Sequence, residues 1–161
     1  MQSILTKVIS GGQTGVDRAG LDWALSHKLP IGGFCPDDCR AEDGNVPERY
    51  GLIPLEFGGY RERTEANVIA SDGTLVLNID ALSGGTQMTV SFAKKHGKPY
   101  LLVQLDEATC VPPEECLQWL RTYSIHCLNI AGPRASKAAG IYDLSRAYLE
   151  KLWCCMEKQS L

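Results

Sequence analysis

An α/β fold built on one mostly parallel sheet is what this sequence predicts, and three observations predict it. Short apolar runs alternate with helix-period patterns almost from end to end, as βαβ units require. Three Gly-rich turns each follow an expected strand and precede an expected helix. The chain has 161 residues, 44% of them hydrophobic, which is enough for one ordinary core and too few for two. A single domain over residues 1–161 is therefore expected, with five strands or slightly more.

The first strand is expected at Lys7 to Ser10, a short β-branched run that stops at glycine. The first helix follows, because Val16, Ala19, Gly20, Trp23 and Ala24 repeat at the spacing of a sheet-facing stripe. Leu21 and Leu25 add a second stripe, which calls for another partner, either extra core or a second subunit. Ile31 to Cys35 reads as the second strand. Pro36 to Gly51 has turn residues and charges without apolar periodicity, so it reads as a long loop, a kind of segment that is often functional. Arg61 to Ser71 is an expected helix, with Ala66 and Ala70 at i, i+4 and with Arg63 and Asn67 on a different face.

Strands are expected next at Thr74 to Ile79, Tyr100 to Leu105 and His126 to Ala131, with a helix from Thr86 to His96 after the first of them. Pro112 and Pro113 suit the entry of a helix that runs to about Tyr123 on a stripe of Cys116, Leu120 and Tyr123. The last helix is expected on Ile141, Leu144, Tyr148, Leu152 and Cys155.

Composition removes several classes of function. No run approaches the roughly 20 apolar residues of a membrane span, and the N-terminus lacks a basic and apolar leader, so a cytoplasmic location with no membrane contact is expected. A net charge of −3 gives no general attraction to nucleic acid. The seven cysteines are an odd number without a stapling framework and read as reduced thiols. Cys35 and Cys39 have no second pair beside them, and His27, His96 and His126 are dispersed, so no metal site is expected.

The chemistry lies in the turns: Ser10-Gly11-Gly12-Gln13-Thr14-Gly15, Ser83-Gly84-Gly85-Thr86 and Gly132-Pro133-Arg134-Ala135-Ser136. If the strands are parallel, all three gather at the carboxyl edge of the sheet, where open α/β folds bind ligands. Glycine lets backbone approach a ligand, and the free N–H groups of a helix start attract phosphate. Arg134 and Lys137 supply charge there and Ser136 a hydroxyl. Neither a G-x-G-x-x-G nor a G-K-[ST] loop is present, so ordinary NAD or ATP chemistry is not indicated. Glu42 and Asp43 are carboxylates that would accept hydrogen bonds from a pterin or guanine ring, or serve as acids.

The stretches SGGQTGVDRAGLDWA, CRAEDGNVP, YRERTEANV, LSGGTQMTVSFAKKHGKP and LNIAGPRASK resemble the molybdenum cofactor carrier protein family. The match runs in order over most of the chain. That family is similar to a wider Rossmann-like nucleotide-binding superfamily, which includes the cytokinin-activating phosphoribohydrolases. The resemblance implies a doubly wound domain with helices on both faces, assembled as a homo-oligomer with a tetramer preferred. It further implies carriage of molybdenum cofactor or a similar phosphate-bearing pterin or nucleotide, with a molybdoenzyme or a cofactor-synthesis protein as partner. Carried over by position, the ligand contacts would be Gly11, Gly12, Gln13, Thr14, Gly15, Gly84, Gly85, Thr86, Gly132, Arg134, Ser136 and Lys137. Arg40, Glu42, Asp43, Arg63 and Asn67 lie in the other matching motifs. The phosphoribohydrolases carry PGG-x-GT-x-x-E, and here Thr89 stands where their glutamate is expected. A binding protein is thus favoured over an N-glycosidase or a nucleotide sensor.

Overall fold

The computed structural model describes residues 3–159. In chain order, β1 (Lys7–Ile9) leads to α1 (Val16–Ser26), β2 (Ile31–Gly32), β3 (Phe34–Cys35), β4 (Arg40–Ala41), β5 (Gly44–Asn45) and β6 (Ile53–Pro54). Then come α2 (Tyr60–Ala70), β7 (Gly73–Asn78), α3 (Gly84–Lys95), β8 (Tyr100–Gln104), α4 (Pro113–Thr122), β9 (Cys127–Ala131) and α5 (Ile141–Lys158). The central sheet has five strands in the order β2-β1-β9-β7-β8, and every neighbouring pair is parallel. All six residues of β7 are buried, because helices cover both faces of a parallel sheet.

The larger core joins Val8, Leu75, Leu77, Leu128 and Ile130 of the sheet to Trp23 of α1, Leu117 and Leu120 of α4, and Leu149 and Leu152 of α5. A smaller one packs Val68 of α2 against Phe92 and Ala93 of α3. This is the doubly wound, Rossmann-like arrangement. No helix among the described residues is long and apolar enough to cross a membrane.

All five expected strands form, but the second divides. Gly33 takes a positive φ of 121° and turns the chain out of the main sheet. Beyond it, β3 pairs in parallel with β6. The Asn67 side chain accepts from the Phe34 N–H (2.8 Å) and donates to the Phe34 carbonyl (3.0 Å), standing in for a neighbouring strand. The long segment after Pro36 also has structure: β4 and β5 form a small antiparallel hairpin, and Glu48–Tyr50 is a 3₁₀ turn.

Four helix faces need correction. Leu21 is fully buried, but inside this chain, where Cys35, Ala41, Val46 and Tyr50 of the hairpin segment cover it. It is therefore no subunit contact, whereas Leu25 remains 43% exposed. On α2 the polar face is the inner one: Arg63 and Asn67 are buried and Ala70 is exposed. On α4, Leu117 takes the inward place expected of Tyr123, and on α5 Leu149 and Met156 do so while Leu144 turns outward.

Candidate functional site

Because β1, β9 and β7 are adjacent and parallel, the turns that follow them lie side by side at one edge of the sheet. Together with Tyr60, Arg61, Arg63, Thr64 and Asn67 of α2 they enclose a cavity of about 320 Å³. Of the residues expected to bind, Gly11, Gln13, Arg63, Asn67, Gly85, Thr86, Gly132, Arg134 and Lys137 stand in its wall.

The cationic end is made by α3 and the third turn. Ser83 starts α3 without a side-chain cap, so the first N–H groups of the helix are left for a ligand. Gly85 has open space where a side chain would be, and Lys137 Nζ lies 3.4 Å from the place a Gly84 Cβ would take. Arg134 adds a second charge, with its Nε 3.6 Å from Glu42 Oε2.

The other end is a buried ion pair. Arg63 Nη1 donates to Asp17 Oδ2 at 3.0 Å, and the Gln13 N–H reaches the same oxygen at 3.2 Å. Burial raises the Asp17 carboxyl most; the Arg63 charge and the Gln13 N–H pull the other way, and the net direction is upward from the ordinary value. Arg63 fits only because position 11 is glycine: a Cβ there would sit 2.7 Å from Arg63 Cζ and overlap Nη1. Gly12 likewise yields to Val46 and Leu52, and Gly15 to the backbone of the third turn. The glycines of the first turn thus make room for the protein's own groups, while Gly85 of the second stands open to the cavity.

Gly12, Thr14, Gly15, Arg40, Glu42, Asp43, Gly84 and Ser136 stand outside the cavity wall. Thr14, Glu42, Asp43 and Ser136 instead clasp the hairpin to the turns. Glu42 accepts from the Thr14 hydroxyl and from both the N–H and the hydroxyl of Ser136. Gln13 Oε1 accepts from the N–H of Thr14 (3.0 Å) and of Glu42 (2.9 Å). Asp43 accepts from the two terminal nitrogens of Arg18, at 2.5 and 2.7 Å. Desolvation pushes Glu42 up, but its bonds from Ser136 and Thr14 and the charge of Arg134 outweigh it, and its pKa is lowered. Arg40 pairs with Asp38 at 3.1 Å and lies over the ring of Tyr60, a wall residue.

Sequence reasoning missed Asp17, Tyr60, Asn78, Asp80 and Asn129 as wall residues. Asn78 and Asn129 carried a usable signal, since an amide inside an otherwise apolar strand has to be satisfied at a strand end or a site. Asn129 donates to Thr74 Oγ1 at 3.2 Å, and Asn78 to Gln104 Oε1 at 2.8 Å. Thr89 also lines the cavity and donates its hydroxyl to the Gly85 carbonyl at 2.9 Å. The Cys35 and Cys39 thiols lie 3.7 Å apart, and burial pushes Cys35 up to about 11, so it is protonated at neutral pH.

Comparison with known proteins gives a consistent result. A crystal structure from Syntrophus aciditrophicus SB, named Putative molybdenum carrier protein, superposes with a TM-score of 0.87 at 42% identity over 94% of this chain and 97% of the other. A match at 10% identity and a TM-score of 0.38, over 96% of this chain and 59% of that one, is to (E)-4-hydroxy-3-methyl-but-2-enyl diphosphate reductase and carries no argument. No curated protein sequence matches. A family model spans residues 8–153, nearly the whole sheet and all three turns, and on that match the chain belongs to the circularly permutated YpsA SLOG family.

Proposed function

We propose that the cavity binds and shields a small phosphate ester of a ring system, a molybdenum-cofactor-like pterin or a nucleotide, and that the protein is a carrier and not a catalyst. One observation carries this reading: an uncapped helix start, Lys137 and Arg134 converge on a cavity of about 320 Å³ at the carboxyl edge of the sheet. Such a volume lies in the range of small-molecule sites. The name borne by the 42% identical neighbour supports carriage of a molybdenum-containing ligand. The residues present fit such a group, with donors for its phosphate at one end and a donor and acceptor for its pterin at the other. When bound, the cofactor would bring its metal and dithiolene to the cavity. The chain's own part is to hold the phosphate, orient the ring and keep water and oxygen out. Thr89, a hydroxyl tied to the Gly85 carbonyl where a carboxylate would serve N-glycosidic cleavage, argues against a hydrolase.

Native mass spectrometry of the purified protein, with fluorescence of whatever is released, separates pterin, nucleotide and an empty site. Arg134→Ala should weaken binding of a phosphate ester by about tenfold to a hundredfold, the loss of one charge-assisted hydrogen bond, and should leave the melting temperature nearly unchanged. Unchanged affinity in calorimetric titration would move the phosphate away from the third turn.

A further inference from the structure

The sheet order separates two polar ends of the cavity. Lys137 reaches Gly84 at the end of β7, whereas Arg63 and Asp17 meet over Gly11 at the end of β1, and β9 lies between. Two inter-strand spacings amount to roughly 10 Å. That is the scale of the distance from the phosphate to the far edge of the ring in a nucleotide or a phosphorylated pterin.

The end at Arg63 is under-used. A guanidinium carries five N–H donors, yet Arg63 gives one side-chain hydrogen bond, to Asp17, and its Nε has no partner among the described residues. The residue is 8% exposed, so solvent does little to satisfy the rest. A carboxylate offers about four acceptor positions; the Gln13 N–H and Arg63 take two, both on Oδ2, and the Ser10 side chain takes a third, which leaves one for a ligand. The cavity wall therefore presents a donor beside an acceptor, fixed by mutual contact.

We propose that Arg63 and Asp17 read a lactam edge, a ring carbonyl next to a ring N–H, so that the ligand is a phosphate ester of an oxo-heterocycle such as hypoxanthine, guanine or a pterin. Arg63 donates to the carbonyl oxygen and Asp17 accepts the ring N–H. With the phosphate held at the other end and the ring's direction thereby fixed, adenine presents the reverse order, an amino donor next to a bare ring nitrogen, and would set donor against donor and acceptor against acceptor. In a buried site such a mismatch leaves polar groups unpaired on both sides and discriminates strongly. The inference rests on the carrier reading, and deepens it by naming the ring.

Calorimetric titration of the full chain with inosine monophosphate, adenosine monophosphate and ribose 5-phosphate tests both and tells them apart. The expected result is binding of all three, with the inosine ester held at least about tenfold more tightly than the adenosine ester. In a folded Arg63→Lys protein, that preference should vanish, and a preference that persists there overturns the role given to Arg63. Equal affinity of the unaltered protein for the two nucleotides overturns the lactam assignment and leaves the phosphate site standing. Binding of none of the three overturns both. The comparison of nucleotides needs no variant, so a poorly folded Arg63→Lys does not rescue the proposal.

Discussion

Gly11 shows at the scale of one residue how a motif glycine acquires its role. Its missing Cβ is the space in which the Arg63 guanidinium lies, and that guanidinium is the counter-charge of the buried Asp17. Gly11→Ala is expected to push Arg63 aside and leave a buried carboxylate without its partner, a loss of about 3–5 kcal/mol. The same substitution in an Arg63→Ala background meets no guanidinium and should cost a small fraction of that. A double-mutant cycle by chemical denaturation measures the difference, and additive effects would mean that Gly11 and Arg63 are not coupled.

Elements here are held as much by polar clasps as by apolar stripes. Helix α2 turns Arg63 and Asn67 inward because these two side chains complete other segments, Asp17 for one and the Phe34 backbone for the other. The β4–β5 hairpin, in turn, is fastened by Glu42 and Asp43 to the first helix and the third turn. The pH dependence of this clasp follows from the lowered pKa of Glu42. Its contribution is complete above the ordinary value of 4.5 and is lost as pH falls through the lower folded value. Amide exchange across residues 40–50 should therefore speed up as pH falls below the ordinary 4.5, after correction for intrinsic rates. In Glu42→Gln the hairpin should exchange faster already at neutral pH and lose that acid-dependent step. A hairpin equally protected in both proteins would show that the clasp contributes nothing.

Over the whole molecule, the larger core gathers residues from Leu5 to Met156, so both ends of the described chain are tied into one apolar body. We expect a single cooperative unfolding transition, with an enthalpy of about 110 kcal/mol near 60 °C from the usual value per residue. Calorimetry in which the van't Hoff and calorimetric enthalpies disagree would point to a hairpin segment that unfolds on its own, or to assembly. For assembly, the buried Leu21 has dropped out as a contact, and Leu25 and Leu144 remain as exposed leucines.

How much of this was legible in the sequence depends on the range of the forces involved. Strand runs, helix periods and the three glycine turns are local, and β1, β7, β8 and β9 stand where the apolar runs put them. Parallel pairing then carries those turns to one edge, so the place of the cavity and the basic side chains at one end of it also followed from sequence. What a charged or polar side chain meets is a different matter. Arg63 finds Asp17 from 46 positions away, and Ser136 finds Glu42 from 94. No periodicity encodes such meetings, because desolvation makes each buried charge depend on whichever partner the packed elements bring within about 3 Å. The sequence by itself determined the doubly wound sheet and the edge where its cavity lies; only the tertiary structure decided which glycines stand open to that cavity and which make room for the protein's own side chains, since that choice is made by close packing across distant segments.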